Sequence, residues 1–249
     1  MLTEERKRKI LTELDKKSVV QLRKLTDMLD ASESTIRRDL GELEKEGLLR
    51  RVHGGAEKTA SLTAEAGVQE KATVHTAAKM AIARAAADMV NNGALIFLDA
   101  GTSTGAMIPL LRGKDITVVT TGVDNASMLA DYGIKTILLG GSVKPLTKAV
   151  IGAEAVRSLG QYRFNIAFLG TNGVHAEYGC TTPDPEEAAT KRVAAGQSAQ
   201  AVVLADSSKF GAVSFAQVLP IQDALIITDD RRELDDSFTK LSNIKEAQF

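Results

Sequence analysis

Residues 32–40, Ser-Glu-Ser-Thr-Ile-Arg-Arg-Asp-Leu, decide how the first part of this chain folds. Ser32 is a favourable helix N-cap, because its hydroxyl can accept a hydrogen bond from a free N–H of the first helical turn. Ile36, Leu40 and Leu43 then recur at the i, i+4, i+7 spacing of one buried helical face. We therefore predict an amphipathic helix that begins directly after Ser32.

The same spacing turns the polar side chains of this helix away from the core; they are Ser34, Thr35, Arg37 and Arg38. Gly47 is expected to end the helix, and the β-type residues and Gly-Gly pair of residues 48–56 predict a short strand and turn, a wing. Exposed Arg and hydroxyl groups at a helix N-terminus suit the major groove of DNA, where they can contact base edges and phosphates. For the helix taken alone, a solvated charged face is an equally good interpretation.

Two predicted helices precede this stretch. Residues 3–16 place Ile10, Leu11 and Leu14 on one face, and residues 20–29 place Leu22, Leu25, Met28 and Leu29 on another. Two short helices, a turn and a third helix followed by a wing are the order of a winged helix-turn-helix domain. We assign this domain to residues 1–58.

The motifs of this region resemble those of one family. Ser-Thr-Ile-Arg-Arg-Asp-Leu at 34–40, Leu-Glu-x-x-Gly-Leu-Leu at 43–49 and Arg-Val-His-Gly-Gly-Ala at 51–56 are similar to the DeoR family of bacterial transcriptional regulators. The resemblance implies a DNA-binding head that recognises operator double-stranded DNA. Base or adjacent phosphate contacts are expected from Ser34, Thr35, Arg37 and Arg38, and backbone contacts from Arg50, Arg51 and His53.

Composition sets limits on the class of protein. The 249 residues are 44% hydrophobic and 25% charged, which are ordinary globular values. Residues 1–58 carry 14 Lys/Arg and 12 Asp/Glu, a weak positive balance in a chain of net charge −1. The single cysteine, Cys180, excludes an intrachain disulfide, and with three histidines it argues against a metal site. No apolar run approaches the roughly 18 residues of a membrane span. We expect a cytoplasmic protein with no membrane association, no cofactor and no metal.

The rest of the chain alternates between short apolar runs and Ala-rich helical stretches. Residues 59–74 are predicted as a linker, followed by a helix over 75–91 and an effector domain over 75–249. Apolar runs occupy residues 94–98, 116–119, 134–139, 165–169, 201–205 and 224–227, with helices predicted over 103–111, 124–131, 152–159 and 186–195. This alternation predicts an α/β domain with a mostly parallel sheet, whose ligands bind at the carboxyl ends of the strands.

Polar, glycine-containing segments follow the predicted strands. The first is Asp99-Ala100-Gly101-Thr102-Ser103-Thr104-Gly105, in which backbone N–H groups and hydroxyls at a helix start can bind an anion. Neither a Walker motif nor a Gly-x-Gly-x-x-Gly motif is present, so a sugar phosphate fits better than a nucleotide. Simple helix capping by Ser and Thr is the alternative. Asp99 is expected to recognise hydroxyls or to anchor the loop.

The second domain resembles the effector domain of the same family, which is similar in fold to ribose-5-phosphate isomerase and glucosamine-6-phosphate deaminase. The resemblance implies a phosphate-binding loop and a ligand-contacting lysine, matched here by Gly101, Thr102, Ser103, Thr104 and Lys209. Further lining positions are matched by Thr121, Gly141, Asn172 and Lys191.

The isomerase chemistry is not expected here. The isomerase motif Asp-Gly-Ala-Asp-Glu is replaced by Leu-Gly-Thr-Asn-Gly at 169–173. In the isomerase the catalytic base directly precedes a lysine, whereas here Thr190 directly precedes Lys191. Leu, Asn and Thr cannot act as a base near neutral pH. Glu186 and Glu187 could substitute in principle, but they are typical first-turn acids of a helix.

These observations predict a repressor of a sugar-utilisation operon, controlled by a sugar phosphate and acting as a dimer or tetramer. The 99–104 loop and the chain length are nearest to fructose-operon regulators, so fructose 1-phosphate is the expected effector. Two alternatives remain at this point: a sugar-phosphate isomerase or deaminase carrying a DNA-binding head, and an activator that needs its ligand to bind DNA.

Overall fold

The computed structural model describes residues 2–17, 19–46, 48–52, 54–58, 62–232 and 234–247. The chain divides into two units, Met1–Ser61 and Leu62–Phe249. The first unit contains α1 (Thr3–Lys17), β1 (Val19–Gln21), α2 (Leu22–Leu29), α3 (Glu33–Lys45), β2 (Leu49–Val52) and β3 (Gly55–Lys58). Three helices and a β-hairpin in this order form a winged helix-turn-helix, as the sequence predicts.

The start of α3 is capped as expected. The Ser32 hydroxyl accepts a hydrogen bond from the Thr35 N–H at 3.3 Å. Ile36 and Leu40 are buried with Leu25 in the core of the unit. Gly47, the expected end of the helix, lies outside the described residues.

One strand of the first unit differs from the prediction. The second helix is expected from residue 20 but begins at Leu22, because Val19–Gln21 forms β1. β1 pairs antiparallel with β3, giving the sheet order β1-β3-β2. The β-branched Val19 and Val20 favour extended backbone, and the partner strand overrides the helical periodicity at this end.

The second unit is a three-layer α/β domain. Its helices are α4 (Val68–Thr73), α5 (Thr76–Ala87), α6 (Thr102–Gly105), α7 (Val123–Asp131), α8 (Ala153–Leu159), α9 (Pro185–Gly196) and α10 (Asp236–Thr239). Its central strands are β4 (Leu95–Leu98), β5 (Thr117–Thr120), β6 (Lys135–Leu138), β9 (Phe164–Gly170), β12 (Ser198–Leu204), β14 (Leu225–Thr228) and β15 (Ile244–Glu246). Shorter strands are β7 (Ser142–Lys144), β8 (Ala149–Ile151), β10 (Gly173–His175), β11 (Gly179–Thr182) and β13 (Ala216–Leu219).

All pairings in the central sheet are parallel, with the order β15-β14-β12-β9-β4-β5-β6. Alternate residues of β4 point to opposite faces: Ile96 and Leu98 belong to one apolar cluster, and Phe97 to the other. Two buried faces explain why the sequence shows continuous apolar runs here instead of strict alternation. The six predicted strands are all present.

Two segments depart from the predicted pattern. The helix expected over 103–111 is divided into α6 and a 3₁₀ turn at Ile108–Leu111, which contains Pro109. A proline inside a helix removes an N–H donor and interrupts the ladder of hydrogen bonds. From residue 62 onward, the predicted linker 59–74 lies within the second unit and includes α4, whose Val68 N–H donates to the Leu146 carbonyl at 3.0 Å.

Candidate functional site

The first unit presents a basic and hydroxyl-bearing surface along α3. Ser34, Arg37 and Arg38 are exposed, and the Arg37 side chain is 59% accessible. Its only ion pair within the described residues is an exposed one with Glu33, at 3.3 Å. Exposed pairs of this kind contribute little and exchange readily. The guanidinium groups are therefore free to contact an external anion.

The hydroxyls at the start of α3 form a cluster. Ser32 Oγ lies 2.9 Å from both Ser34 Oγ and Thr35 Oγ1. Thr35 is partly buried. The cluster surrounds the first helical turn, whose N–H groups have no acceptor within the helix. It is therefore a place where phosphate or base-edge contacts can form.

The wing carries the other predicted DNA contacts. Arg50 on β2 is 72% exposed and pairs with Glu57 on β3. Arg51 is also exposed. Its backbone N–H donates a hydrogen bond to Glu44 Oε1 at 2.8 Å, which connects the wing to the end of α3. His53, the third predicted wing residue, lies outside the described residues.

Sequence reasoning missed a buried ion pair beneath this surface. Asp39, in the middle of the Arg-Arg-Asp-Leu motif, is fully buried and accepts two hydrogen bonds from the Arg6 guanidinium, one of them 3.0 Å long. The hydrogen bond to Asp39 raises the pKa of Arg6, against the opposing effect of burial. The available signal was the position of Asp39, three residues after Ile36 on the buried face.

The candidate ligand cavity of the second unit lies at a topological switch point. β4 leads to β5 and β6 on one side, whereas its other neighbour, β9, leads to β12, β14 and β15. The strand order thus reverses between β4 and β9, where open parallel sheets leave a crevice at the strand ends. A cavity of about 90 Å³ occupies this position, lined among others by the segments that follow β4 and β9.

The loop after β4 supplies part of the wall. Gly101, Thr102 and Ser103 line the cavity. Thr104, predicted to contact the ligand, is instead fully buried: its hydroxyl lies 2.7 Å from the Asp99 carbonyl and 3.0 Å from the Gly101 N–H. These hydrogen bonds stabilise the conformation of the loop.

Asp99 and Lys191 form a buried pair in the wall. Asp99 Oδ2 accepts hydrogen bonds from the Lys191 ammonium and from the Gly170 N–H, the latter at 2.9 Å. Burial opposes the charge on Lys191, but Asp99 and Glu187 outweigh it and raise its pKa. The pair joins the ends of β4 and β9 to α9, and both side chains line the cavity.

Two further predicted residues, Asn172 and Lys209, also line the cavity. Asn172 Oδ1 accepts a hydrogen bond from Thr182 at 3.0 Å, which leaves its amide group as a donor. Lys209 follows β12, and its Nζ lies 4.0 Å from Asp206. This loose pairing makes Lys209 available to an anion.

Thr121 and Gly141, the remaining predicted residues, are absent from the cavity wall that the described residues form. Thr121 is buried after β5, where its carbonyl accepts a hydrogen bond from Val150 N–H at 2.7 Å. The Cα of Gly141 packs closely against the Ile151 carbonyl, and its φ of 153° suits glycine. Both positions shape the β7–β8 hairpin.

Several wall residues were missed because they come from the predicted linker and the next helix. Glu65 accepts from Lys71 at 3.1 Å and from Lys144 at 2.6 Å. Lys79 donates to the carbonyls of Lys71 and Val74 at the end of α4. Burial lowers the pKa of Lys79, as do Lys209 and Lys71, while Asp206 opposes them. The signal for Lys79 was its place on the buried face of α5.

Both parts of the chain are similar to domains of one known family. Residues 6–61 match the DeoR-like helix-turn-helix domain, and residues 74–230 match the DeoR C-terminal sensor domain. A winged DNA-binding head joined to an α/β sensor defines a class of ligand-responsive transcriptional regulators. The chain belongs to the DeoR family of these regulators.

Individual relatives cover nearly the whole chain. An uncharacterized helix-turn-helix transcriptional regulator FruR of Bacillus subtilis is 48% identical over 94% of both chains. The transcriptional regulator GlpR of Haloferax volcanii is 37% identical over 94% of this chain and 93% of its own. A lactose phosphotransferase system repressor of Staphylococcus epidermidis is 30% identical over 89% of this chain and 90% of its own.

Among solved structures, ribose 5-phosphate isomerase A from Neisseria gonorrhoeae is similar to part of the chain. The TM-score is 0.40 and the identity 21%, over 55% of this chain and 53% of that one.

Within the described part of the chain, no helix has the length and apolar character to cross a membrane. Among the same residues, no group of three or more His, Cys, Asp or Glu side chains is arranged to hold a metal ion.

Proposed function

We propose that this regulator represses a sugar-utilisation operon and that a phosphorylated sugar, with fructose 1-phosphate as the first candidate, controls its binding to DNA. The observation that carries the proposal is the cavity at the β4–β9 switch point, where hydroxyls and lysines surround a space within the sensor domain. Relatives named as a lactose phosphotransferase system repressor, a putative aga operon repressor and FruR support a sugar operon. The name FruR supports fructose.

In the first unit, the exposed residues of α3 would contact bases and phosphates. Arg37 and Arg38 would supply the strongest of these contacts, with Ser34 and Thr35 beside them. Arg50 and Arg51 would hold the DNA backbone from the wing, together with His53. A single winged helix covers a short site, so operator binding would use two half-sites and a dimer or tetramer.

In the second unit, the phosphate would be bound by the loop after β4 and by Lys209. The hydroxyls of Thr102 and Ser103 lie at the cavity, and an ammonium is a strong partner for a phosphate dianion. Asn172 and the Asp99–Lys191 pair would meet the sugar.

Space for a sugar phosphate comes from two adjoining cavities. A cavity of about 90 Å³ is small beside the roughly 300–1,000 Å³ of typical ligand sites. An adjoining cavity of about 370 Å³ shares Gly101, Thr102 and Lys79 with it. A ligand anchored at this loop would therefore extend across the shared wall.

The ligand must bind one arrangement of the protein better than another, or it could shift nothing. The segment 62–74 is suited to this role. It provides cavity residues Glu65, Val68 and Lys71, and it directly follows the DNA-binding unit in the chain.

An isomerase or deaminase with a DNA-binding head is the second candidate. The cavity offers carboxylates, but Asp99 is paired with Lys191, and Glu65 with Lys71 and Lys144. These carboxylates already accept hydrogen bonds from lysines and are not positioned as free bases. A turnover assay with each sugar phosphate separates this function from a sensor.

The test is a titration of the protein onto fluorescent DNA from upstream of its own gene, read as anisotropy. Fructose 1-phosphate, fructose 6-phosphate, tagatose 6-phosphate and ribose 5-phosphate are added in turn. We expect release by fructose 1-phosphate alone. Tighter binding with ligand would show that the protein depends on its ligand to bind DNA, and binding that ignores all four sugars would contradict the proposed effector class.

A further inference from the structure

Glu187, on the first turn of α9, uses only one of its two carboxylate oxygens. The residue is buried and lines the cavity. Its Oε1 accepts hydrogen bonds from Thr147 Oγ1 at 2.8 Å and from Lys144 Nζ at 3.2 Å. Within the described part of the chain, its Oε2 accepts none. Every fully buried side-chain oxygen among the described residues has a partner, so this Oε2 opens onto the cavity, where it can accept a hydrogen bond from a ligand.

The chemistry of a carboxylate restricts that donor. A carboxylate only accepts hydrogen bonds and repels phosphate oxygens, which also carry negative charge. The phosphate of a ligand would bind the hydroxyl- and lysine-bearing part of the wall. The group beside Glu187 must then be a hydroxyl.

We propose that Glu187 selects the sugar: its Oε2 accepts a hydrogen bond from a hydroxyl of the bound sugar phosphate, while Thr147 and Lys144 hold the carboxylate in place. This inference rests on the proposed function, because it presupposes a sugar phosphate in the cavity. It adds a residue that discriminates between sugars to the sugar contacts proposed for Asn172 and the Asp99–Lys191 pair.

The orientation of Glu187 is fixed by the groups around Lys144. The Lys144 ammonium also contacts Glu65 at 2.6 Å and Asp184 at 2.7 Å. Burial opposes its charge, but Asp184 and Glu65 together raise its pKa, so it stays an ammonium at neutral pH. Asp184 is in turn the N-cap of α9 and accepts from the Glu186 N–H at 2.8 Å. Two donors thus hold the Glu187 carboxylate, and one of them, Lys144, is itself held by Glu65 and Asp184, which keeps the ordering cost on binding low.

A fixed acceptor discriminates strongly. A ligand that fills the cavity but lacks the matching hydroxyl shields Oε2 from water without giving it a donor, and sites built to hydrogen-bond a hydroxyl reject such analogues. Phosphates without hydroxyls should therefore bind through the phosphate alone and gain nothing from Glu187.

The experiment compares Glu187→Gln with Glu186→Gln in the full-length protein. Glu186 is a matched control, because it is the adjacent acid on the same helical turn but is exposed and absent from the cavity wall of the described residues. Calorimetry measures the affinity of each protein for the four sugar phosphates and for ethyl phosphate. Chemical unfolding confirms that each variant is folded.

We expect Glu187→Gln to weaken the best-bound sugar phosphate by about 10- to 100-fold and ethyl phosphate by less than about twofold. Glu186→Gln should leave both unchanged. Thr147→Val, which removes one positioning hydrogen bond, should weaken the sugar phosphate by about threefold to tenfold. Fructose 6-phosphate and tagatose 6-phosphate differ in one hydroxyl configuration, and the Glu187 variant should reduce the ratio of their affinities.

Two results would overturn the inference. One is unchanged sugar-phosphate binding by Glu187→Gln; the other is an equal loss for ethyl phosphate and the sugar. If the wild-type protein binds no sugar phosphate, the proposed sensor function fails as well. Wild-type binding with an unaffected variant contradicts Glu187 alone.

Discussion

Each unit of this regulator contains a buried acid–base pair, and the two pairs have different surroundings. In the first unit, Arg6 and Asp39 join α1 to α3, the helix that also carries the exposed Arg37 and Arg38. Asp99 and Lys191 join the end of β4 to α9 in the second unit, where both line a cavity. The first pair holds helices together, whereas the second forms part of a cavity wall.

The comparison teaches where a buried charge points to stability and where it points to a ligand. In a packed core, the protein itself satisfies the hydrogen-bonding groups of a buried ion pair. Removing one partner therefore lowers the free energy of unfolding. An ion pair at a cavity can still form hydrogen bonds with a ligand. Removing it should therefore lower the affinity for that ligand. Three sets of substitutions and one thiol-labelling measurement test how the two units differ, in order of expected effect.

Asp39→Ala should have the largest effect. It leaves the Arg6 guanidinium buried without its carboxylate, at a cost of about 3–5 kcal/mol in the free energy of unfolding of the first unit. Urea unfolding followed by circular dichroism measures it. The control is Arg6→Met combined with Asp39→Leu, which removes both charges and should recover much of the loss. Equal damage from both variants would contradict a role as a charge pair.

Arg37→Ala with Arg38→Ala should abolish specific operator binding, losing about 2–4 kcal/mol, while leaving unfolding and sugar-phosphate affinity unchanged. Arg157→Ala with Arg163→Ala is the control, since it removes two exposed arginines from the second unit. Anisotropy titration measures DNA affinity. A similar loss in both double variants would show that only total charge matters.

Ser103→Ala with Lys209→Ala should remove about 2 kcal/mol of sugar-phosphate affinity and the DNA response with it. DNA binding without ligand should be unchanged, because these residues lie in the second unit. Lys240→Ala with Ser242→Ala provides an exposed Lys and Ser for comparison. An intact response in the first variant would contradict the phosphate site.

Cys180 offers a test with no expected change. Burial raises the pKa of its thiol to about 12, so at pH 8 the folded second unit should react with thiol reagents very slowly. The thiolate forms only as the pH approaches that value or as the unit unfolds. Asp39→Ala should not alter this rate, measured with a chromogenic disulfide. Faster labelling would mean that the two units do not unfold independently.

The sequence predicts the architecture well because apolar spacing and turn residues are local signals. The α3 helix, its Ser32 cap and six of the seven strands of the central sheet can be inferred from the sequence. The short β1 strand could not, since its extended backbone depends on pairing with β3. Periodicity carries no information about a partner strand.

The binding site was only partly predictable. The loop after β4 and Lys209 follow strands directly, so their position at the sheet edge can be inferred from the sequence. Glu65 reaches the cavity from the segment before α4, Lys79 from α5 and Glu187 from α9. Their charges are indistinguishable from solvated ones in a sequence, and only tertiary packing brings them together.

The most direct test of the proposed control by a sugar phosphate compares the affinity of fructose 1-phosphate for the free protein with its affinity for the protein saturated with operator DNA. Binding linkage is reciprocal, so a ligand that weakens DNA binding must itself bind the DNA complex more weakly by the same factor. We expect a factor of about 5 to 150, as is typical of allosteric coupling. Equal affinities in the two calorimetric titrations would contradict control of DNA binding by this sugar phosphate.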